Sequence, residues 1–300
     1  MKRRILADFL AVVEIRTKLV SVSTLLLASL YTVWRRGFPD PLLFACMWIA
    51  TVAVDMGTTA FNNYFDYWRG TDRASDSSET DKVLVHSGVK PGFALAAAFW
   101  CFSAAAVFGL VIAFSGNLWV LPAGAACMSV GFLYTGGPFP ISRTPFGEFF
   151  SGGCLGLSLF LIACGVWSVH PDAAVVYASL PSTLWIASIL TVNNTCDIKG
   201  DTEAGRSTLS ILVGVRGGET AVVLLGFLGQ AAAVTAGLSG YLPSLTAWTG
   251  AFGIIPIAFV WRSMHRAGFS HGTKRANMMR ILLCFVLFTL STASGFLPLT

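Results

Sequence analysis

Charge is what this chain has least of. Only 12% of its 300 residues are Asp, Glu, Lys or Arg, while 55% are hydrophobic, and the mean hydropathy is +0.70. A soluble domain carries about 25% charged residues, so this composition excludes one. The short alternating segments of a transmembrane barrel are also missing. Instead, apolar runs near 20 residues recur, which is the length of a membrane-crossing helix. Cysteine is present but not organised. Seven residues lie mostly within apolar runs, with no C-x-x-C pair, so they read as packing thiols and not as a disulfide framework. The four histidines, His86, His170, His265 and His271, are scattered, which argues against a tetrahedral zinc cluster. No small-x-small cleavage site follows the first apolar run, so that run reads as a span and not as a signal peptide.

Nine spans are expected, at roughly 19–34, 42–64, 92–114, 118–134, 149–169, 174–195, 220–239, 245–261 and 279–297. Basic residues test the count. With the N-terminus inside, 18 of the 20 Lys and Arg residues fall on the inner side, and only Arg35 and Arg36 fall outside. The positive-inside rule produces that bias, and it accounts for the net charge of +5 without nucleic acid. The expectation is one polytopic all-α membrane domain over residues 1–300, with two parallel four-helix halves plus a ninth helix. Its setting is a bacterial or archaeal cell membrane, with the N-terminus and the polar motifs on the cytoplasmic side.

Against this apolar background one pattern occurs twice. Asn62-Asn63-Tyr64-Phe65-Asp66 ends the second span, with Gly70-Thr71-Asp72 after it. Asn193-Asn194-Thr195-Cys196-Asp197 ends the sixth, with Asp201 after it. The offset is 131 residues for each of the pairs Asn62/Asn193, Asn63/Asn194 and Asp66/Asp197. Asp55, Thr59, Asn62 and Asp66 fall on one helical face, and Asn194, Asp197 and Asp201 do the same if the helix continues. Carboxylates in membrane spans are expensive and usually serve a function. Asp66, Asp72, Asp197 and Asp201 together would repel one another, and a hard divalent cation such as Mg²⁺ relieves that repulsion. Arg69, Lys82, Lys199 and Arg206 lie near enough in sequence to neutralise a diphosphate. Metal and bases together favour departure of a diphosphate from an allylic carbon.

Each residue also has a plainer reading. A single Asn or Asp at a helix end is usually a cap, and only the repetition argues otherwise here. Asp55 is either a ligand or a buried polar contact. Gly152, Gly153 and Gly156 suit close helix packing. Tyr64, Phe65, Tyr67 and Tyr134 are either interface anchors or π faces for a cation. Arg73, Asp76, Glu79, Asp81 and Lys90 read as solvated loop charges.

These motifs resemble the UbiA superfamily of intramembrane prenyltransferases, and within it the 1,4-dihydroxy-2-naphthoate polyprenyltransferase (MenA-type) group. Asn62–Asp66 with Gly70-Thr71-Asp72 is similar to the first family motif. Asn193-Asn194-x-x-Asp197-x-x-x-Asp201, then Gly205-Arg206-x-Thr208-Leu209 and Gly214, is similar to the second. Tyr134-Thr135-Gly136-Gly137-Pro138 with Gly147-Glu148 resembles the block between them. The resemblance implies a polyprenyl diphosphate held on Mg²⁺ by Asp66, Asp72, Asp197 and Asp201, with Asn62 and Asn194 as ligands or polar supports. It implies transfer of the prenyl group to 1,4-dihydroxy-2-naphthoate, with loss of CO₂ and diphosphate, giving demethylmenaquinone. The loops 66–91 and 196–218 would cap the site and exclude water. No obligate protein partner is implied.

Three positions depart from the family pattern. Asn63 stands where Asp is usual, which removes one charge from the first acidic cluster. Cys196 stands where Arg is usual, and Arg206 where Lys is common. Another phenolic or quinone acceptor is the alternative within the family. From a different class, the alternative is a secondary transporter of an anionic substrate. A CDP-alcohol phosphotransferase is excluded by the lack of its signature, since Met56 follows Asp55.

Overall fold

Asp40 and Asp172 show how local chemistry sets the long helices. Each accepts a hydrogen bond from the backbone N–H three residues on (Leu43, 3.0 Å; Val175, 3.1 Å), so each caps the start of a span. Pro41 and Pro91 supply first-turn residues whose missing N–H costs nothing there. Gly37 and Gly268 end two helices at φ 84° and 71°. The chain in this computed structural model is described over residues 2–71 and 83–297, and among these residues it forms helices and no strand. The helices are α1 (Lys2–Val12), α2 (Leu19–Arg36), α3 (Pro41–Trp68), α4 (Val83–His86), α5 (Pro91–Phe114), α6 (Val120–Leu133), α7 (Gly147–Gly152), α8 (Leu159–Val166), α9 (Ala173–Cys196), α10 (Ile198–Glu203), α11 (Leu209–Leu238), α12 (Leu245–Ala267) and α13 (Lys274–Ser294). A π turn, Gly153–Ser158, joins α7 to α8.

Among the described residues, eight helical segments are long and apolar enough to cross a membrane. The remaining expected span is present in its place as α6, but with 14 residues. It is about 21 Å long, short of a hydrocarbon core of about 30 Å. The most extensive packing joins α3 to α5 and α9 to α11. Helix α6 leans on α3 and α5, while α12 and α13 close against α11 and α9. Helix α2 lies between the two groups, against α8 and α13.

Two contacts set the bundle's spacing. A Cβ on Gly156 would stand 2.4 Å from Thr183 Cα, and one on Gly152 would stand 2.5 Å from the Thr183 carbonyl oxygen. These glycines let the α7–α8 rod touch the α9 backbone, as the small-residue spacing led us to expect. Gly153 meets nothing within 4 Å and takes no part. The second contact is polar. Lys18 Nζ donates to Asp55 Oδ1 (2.6 Å), the Asp55 carbonyl (3.1 Å) and Thr59 Oγ1 (2.6 Å), while Ser21 Oγ donates to Asp55 Oδ2 (2.5 Å). Asp55 is therefore the buried polar contact of its two expected readings, fastening the start of α2 to α3.

Two stability predictions follow from these contacts. Gly156→Val should lower the Tm in detergent, by an overpacking cost of about 1–3 kcal/mol, while Gly153→Ala should leave it unchanged. Lys18→Met should cost about 3–5 kcal/mol by stranding the buried Asp55 carboxylate, and adding Asp55→Leu should recover most of it. Thermal unfolding of the four variants checks both.

Candidate functional site

Helix α3 delivers its motif through the 100° turn per residue. Asn62 faces inward and accepts a hydrogen bond from Thr135 Oγ1 (2.8 Å). Asn63, one residue on, faces the other way. Its Nδ2 donates to the Val12 carbonyl (2.8 Å) and to Glu14 Oε1 (3.2 Å), pinning the end of α1. The charge expected to be missing from the first acidic cluster is thus not at the cluster at all. The second motif repeats this split. Asn193 lines the central cavity. Asn194 is buried, and its Nδ2 donates to Glu148 Oε1 (2.8 Å). The residue expected beside Asp197 is therefore spent on Glu148, whose other oxygen is buried without a hydrogen-bond partner among the described residues.

Helix α9 does not carry Asp197 and Asp201 on one continuous face. It ends at Cys196, and Asp197 takes a non-helical conformation (φ −104°, ψ 10°) before α10 begins. The break redirects the chain from α9 into α10. It brings Asp201 and, past the Gly205 turn, Arg206 towards α3. Arg206 Nη2 then meets Asp66 Oδ1 at 2.9 Å, and Nη1 meets Asp201 Oδ1 at 3.1 Å. One guanidinium thus links the two motifs. Burial pushes the Asp201 carboxyl up to about 6, against the downward pull of Arg206, and its second oxygen has no hydrogen-bond partner among the described residues.

Asp197 is held from a direction the motifs did not indicate. Lys274 Nζ contacts its Oδ2, and His271 Nδ1 lies 3.2 Å from its Oδ1. Both side chains come from the turn into α13. The only signal in the sequence was two basic groups three residues apart before an apolar run, and nothing there marked them for Asp197. Of the other expected bases, Arg69 donates to the carbonyls of Thr135 and Gly137 and so shapes the turn after α6. Lys199 is exposed on α10. Asp72 and Lys82, with Arg73, Asp76, Glu79 and Asp81, lie outside the described residues. Arg143 was expected only as a topological charge. It donates to the carbonyls of Ala204 and Gly205, and its own carbonyl accepts from Ser207 N (2.9 Å), so it braces the strap that carries Arg206.

Among the described residues, no three His, Cys, Asp or Glu side chains are grouped to hold one ion. Arg206 stands between Asp66 and Asp201, and Lys274 stands on Asp197. The donors nevertheless suit Mg²⁺. They are carboxylate oxygens, one of them unpartnered, and Mg²⁺ usually takes one or two carboxylates with water and phosphate oxygens in place of a full protein cage.

One helical turn before Asp66 and Asp197, Asn62 and Asn193 line a cavity of about 570 Å³, within the usual range for ligand sites. Its walls come from α3 (Met47 to Asn62), small residues of α5 and α6 (Ala105, Gly109, Gly124), and Leu155, Leu190 and Tyr134. Met47 and Asn62 are separated by about 22 Å of helix rise. Among the described lining residues the carboxylate and carboxamide groups are Asp55, Asn62 and Asn193, and the other oxygen-bearing side chains are hydroxyls. The site therefore joins a charged rim to a long greasy chamber.

A profile of the UbiA prenyltransferase family matches residues 21–284. A protein of Bacillus subtilis named 1,4-dihydroxy-2-naphthoate octaprenyltransferase is 37% identical over 179 residues, covering 60% of this chain and 56% of that relative. That match spans little more than half of the relative's length. The apo structure of a UbiA homologue from Aeropyrum pernix K1 superposes with a TM-score of 0.66 at 18% identity, over 90% of this chain and 97% of that one. A UbiA homologue from Archaeoglobus fulgidus, bound to DMAPP and Mg²⁺, has a TM-score of 0.66 at 11% identity, over 96% and 99% of the two chains. Likeness at such identities speaks for the fold. The profile match covers most of the chain, from the start of α2 into α13, and on that ground this integral membrane protein belongs to the UbiA prenyltransferase family.

Proposed function

We propose that this protein is a Mg²⁺-dependent prenyltransferase. In this reading it moves a polyprenyl group from its diphosphate to 1,4-dihydroxy-2-naphthoate, releasing diphosphate and CO₂. The observation that carries the reading is the Arg206 bridge between Asp66 and Asp201 at the mouth of an apolar cavity. A polyprenyl diphosphate has the same two-part character, with a trianionic head on a hydrocarbon tail. The acceptor is drawn from the Bacillus subtilis relative's name.

The tail lies along the cavity between α3, α5 and α6, where burial of apolar surface holds it. The head meets Arg206 and the carboxylates of Asp66, Asp197 and Asp201. These carboxylates would hold Mg²⁺, which would supply charge to stabilise the leaving diphosphate. The allylic C–O bond breaks, and its electron pair leaves with the diphosphate. The ring carbon that bears the acceptor's carboxylate attacks the allylic cation and becomes tetrahedral. Loss of the ring carboxylate as CO₂ restores aromaticity and leaves the prenylated hydroquinone. Among the described residues, Asn62, oriented by Thr135, and Asn193 offer the side-chain amide dipoles in the cavity wall. The apolar lining keeps water from the cation, and Tyr134 presents a ring beside it. The basic-residue bias supports a cytoplasmic mouth.

The first test is a product assay with purified protein, Mg²⁺ and farnesyl or geranylgeranyl diphosphate, offering 1,4-dihydroxy-2-naphthoate and 4-hydroxybenzoate in parallel. The expected product is a prenylated naphthohydroquinone. Release of diphosphate with neither acceptor prenylated would replace the acceptor, and no release at all would remove the reaction. Asp66→Ala and Asp197→Ala should each lower turnover by about 100-fold or more while the protein remains folded in detergent. EDTA should abolish turnover, and added Mg²⁺ should restore it.

A further inference from the structure

Lys274 is the first residue of α13. A cation there sits at the positive end of the helix dipole, an unfavourable place for it. The turn that holds it is nonetheless closely built. Gly268 stops α12 at φ 71°. Ser270 and Thr273 bond each other reciprocally as a capping box. Thr273 Oγ1 and Asn277 Nδ2 both donate to the Gly268 carbonyl, at 2.9 Å each. Asn277 is fully buried, and its Nδ2 lies 4.0 Å from the Sγ of Cys196, the residue before Asp197. This frame places Lys274 on Asp197 Oδ2, with its side chain 17% exposed. The Asp201 backbone N–H donates to the Asp197 carbonyl (2.8 Å) and Arg206 pairs with the Asp201 carboxylate, so Lys274 on Asp197 belongs to the same rim as Arg206.

We propose that Lys274 is a diphosphate-binding residue, supplied to the rim by the α12–α13 turn. This rests on the reading of the site given above. A divalent cation taken up by Asp197 competes with the ammonium for the same carboxylate. Lysine is a point charge on a flexible four-carbon stem, suited to moving from a carboxylate to an adjacent phosphate oxygen. Arg206 pairs with Asp66 and Asp201 while Lys274 pairs with Asp197, so the two bases would share the diphosphate. His271, on Asp197 Oδ1, is then a positioning residue for the carboxylate.

The test is calorimetric titration of detergent-purified protein with inorganic pyrophosphate at saturating Mg²⁺, alongside Mn²⁺ binding without pyrophosphate followed by EPR. Lys274→Gln should weaken pyrophosphate about tenfold, the worth of one charged hydrogen bond, while Mn²⁺ binds as tightly as before or more tightly. Lys274→Arg should recover most of the loss. Unchanged pyrophosphate affinity in Lys274→Gln would overturn the proposal, leaving Lys274 as a counterion of Asp197. Loss of Mn²⁺ together with pyrophosphate would also overturn it, since the lysine would then act only by holding the carboxylate. If the unsubstituted protein binds no pyrophosphate with Mg²⁺, the prenyl-diphosphate reading itself fails, an outcome separate from the other two.

Discussion

Two carboxylates and one guanidinium, drawn largely out of water at the end of a helical bundle, are the contact on which this structure depends. Asp66 comes from α3, while Asp201 and Arg206 come from the segment beyond α9. Burying any one of them alone would cost several kcal/mol. Arginine can satisfy both carboxylates because its fork presents donors in two directions at fixed geometry. Much of the surrounding loop structure serves this arrangement. Arg143 braces the strap that carries Arg206, Arg69 shapes the turn that presents Thr135 to Asn62, and the α12–α13 turn brings Lys274 to Asp197.

The rim and the cavity impose opposite demands, and the helices meet both by changing character along their length. Helix α3 is apolar from Met47 to Val54 except for Thr51, turns polar at Asp55, and ends in carboxamide and carboxylate. Small residues on α5 and α6 leave the volume open, whereas Gly152 and Gly156 close the gap between α7–α8 and α9. A diphosphate ester needs charge at one end and hydrocarbon at the other, and an allylic cation needs a dry space between them. The Asn194–Glu148 pair is buried next to this space and stiffens the wall that carries Asn193.

The repeat also shows how far a motif can be read. In both copies the first asparagine, Asn62 or Asn193, reaches the cavity. The second, Asn63 or Asn194, is buried in packing against a neighbouring segment. Constant spacing revealed the pair of motifs, but it did not say which of two adjacent carboxamides faces inward. That depends on the rotation of each helix about its axis, which its neighbours set.

Hydropathy and charge alone determined the all-helical membrane class, the places of eight of the nine expected spans and the two acidic helix ends. These properties are local, because a span's length and polarity are written in consecutive residues. The tertiary structure decided that Asp55 pairs with Lys18, that α9 breaks at Asp197 to swing Asp201 and Arg206 towards Asp66, and that His271 and Lys274 close on Asp197. Those contacts join residues 37 to 140 positions apart. Each depends on how helices pack and where loops turn, and long-range pairing of that kind leaves no periodicity or spacing in the chain.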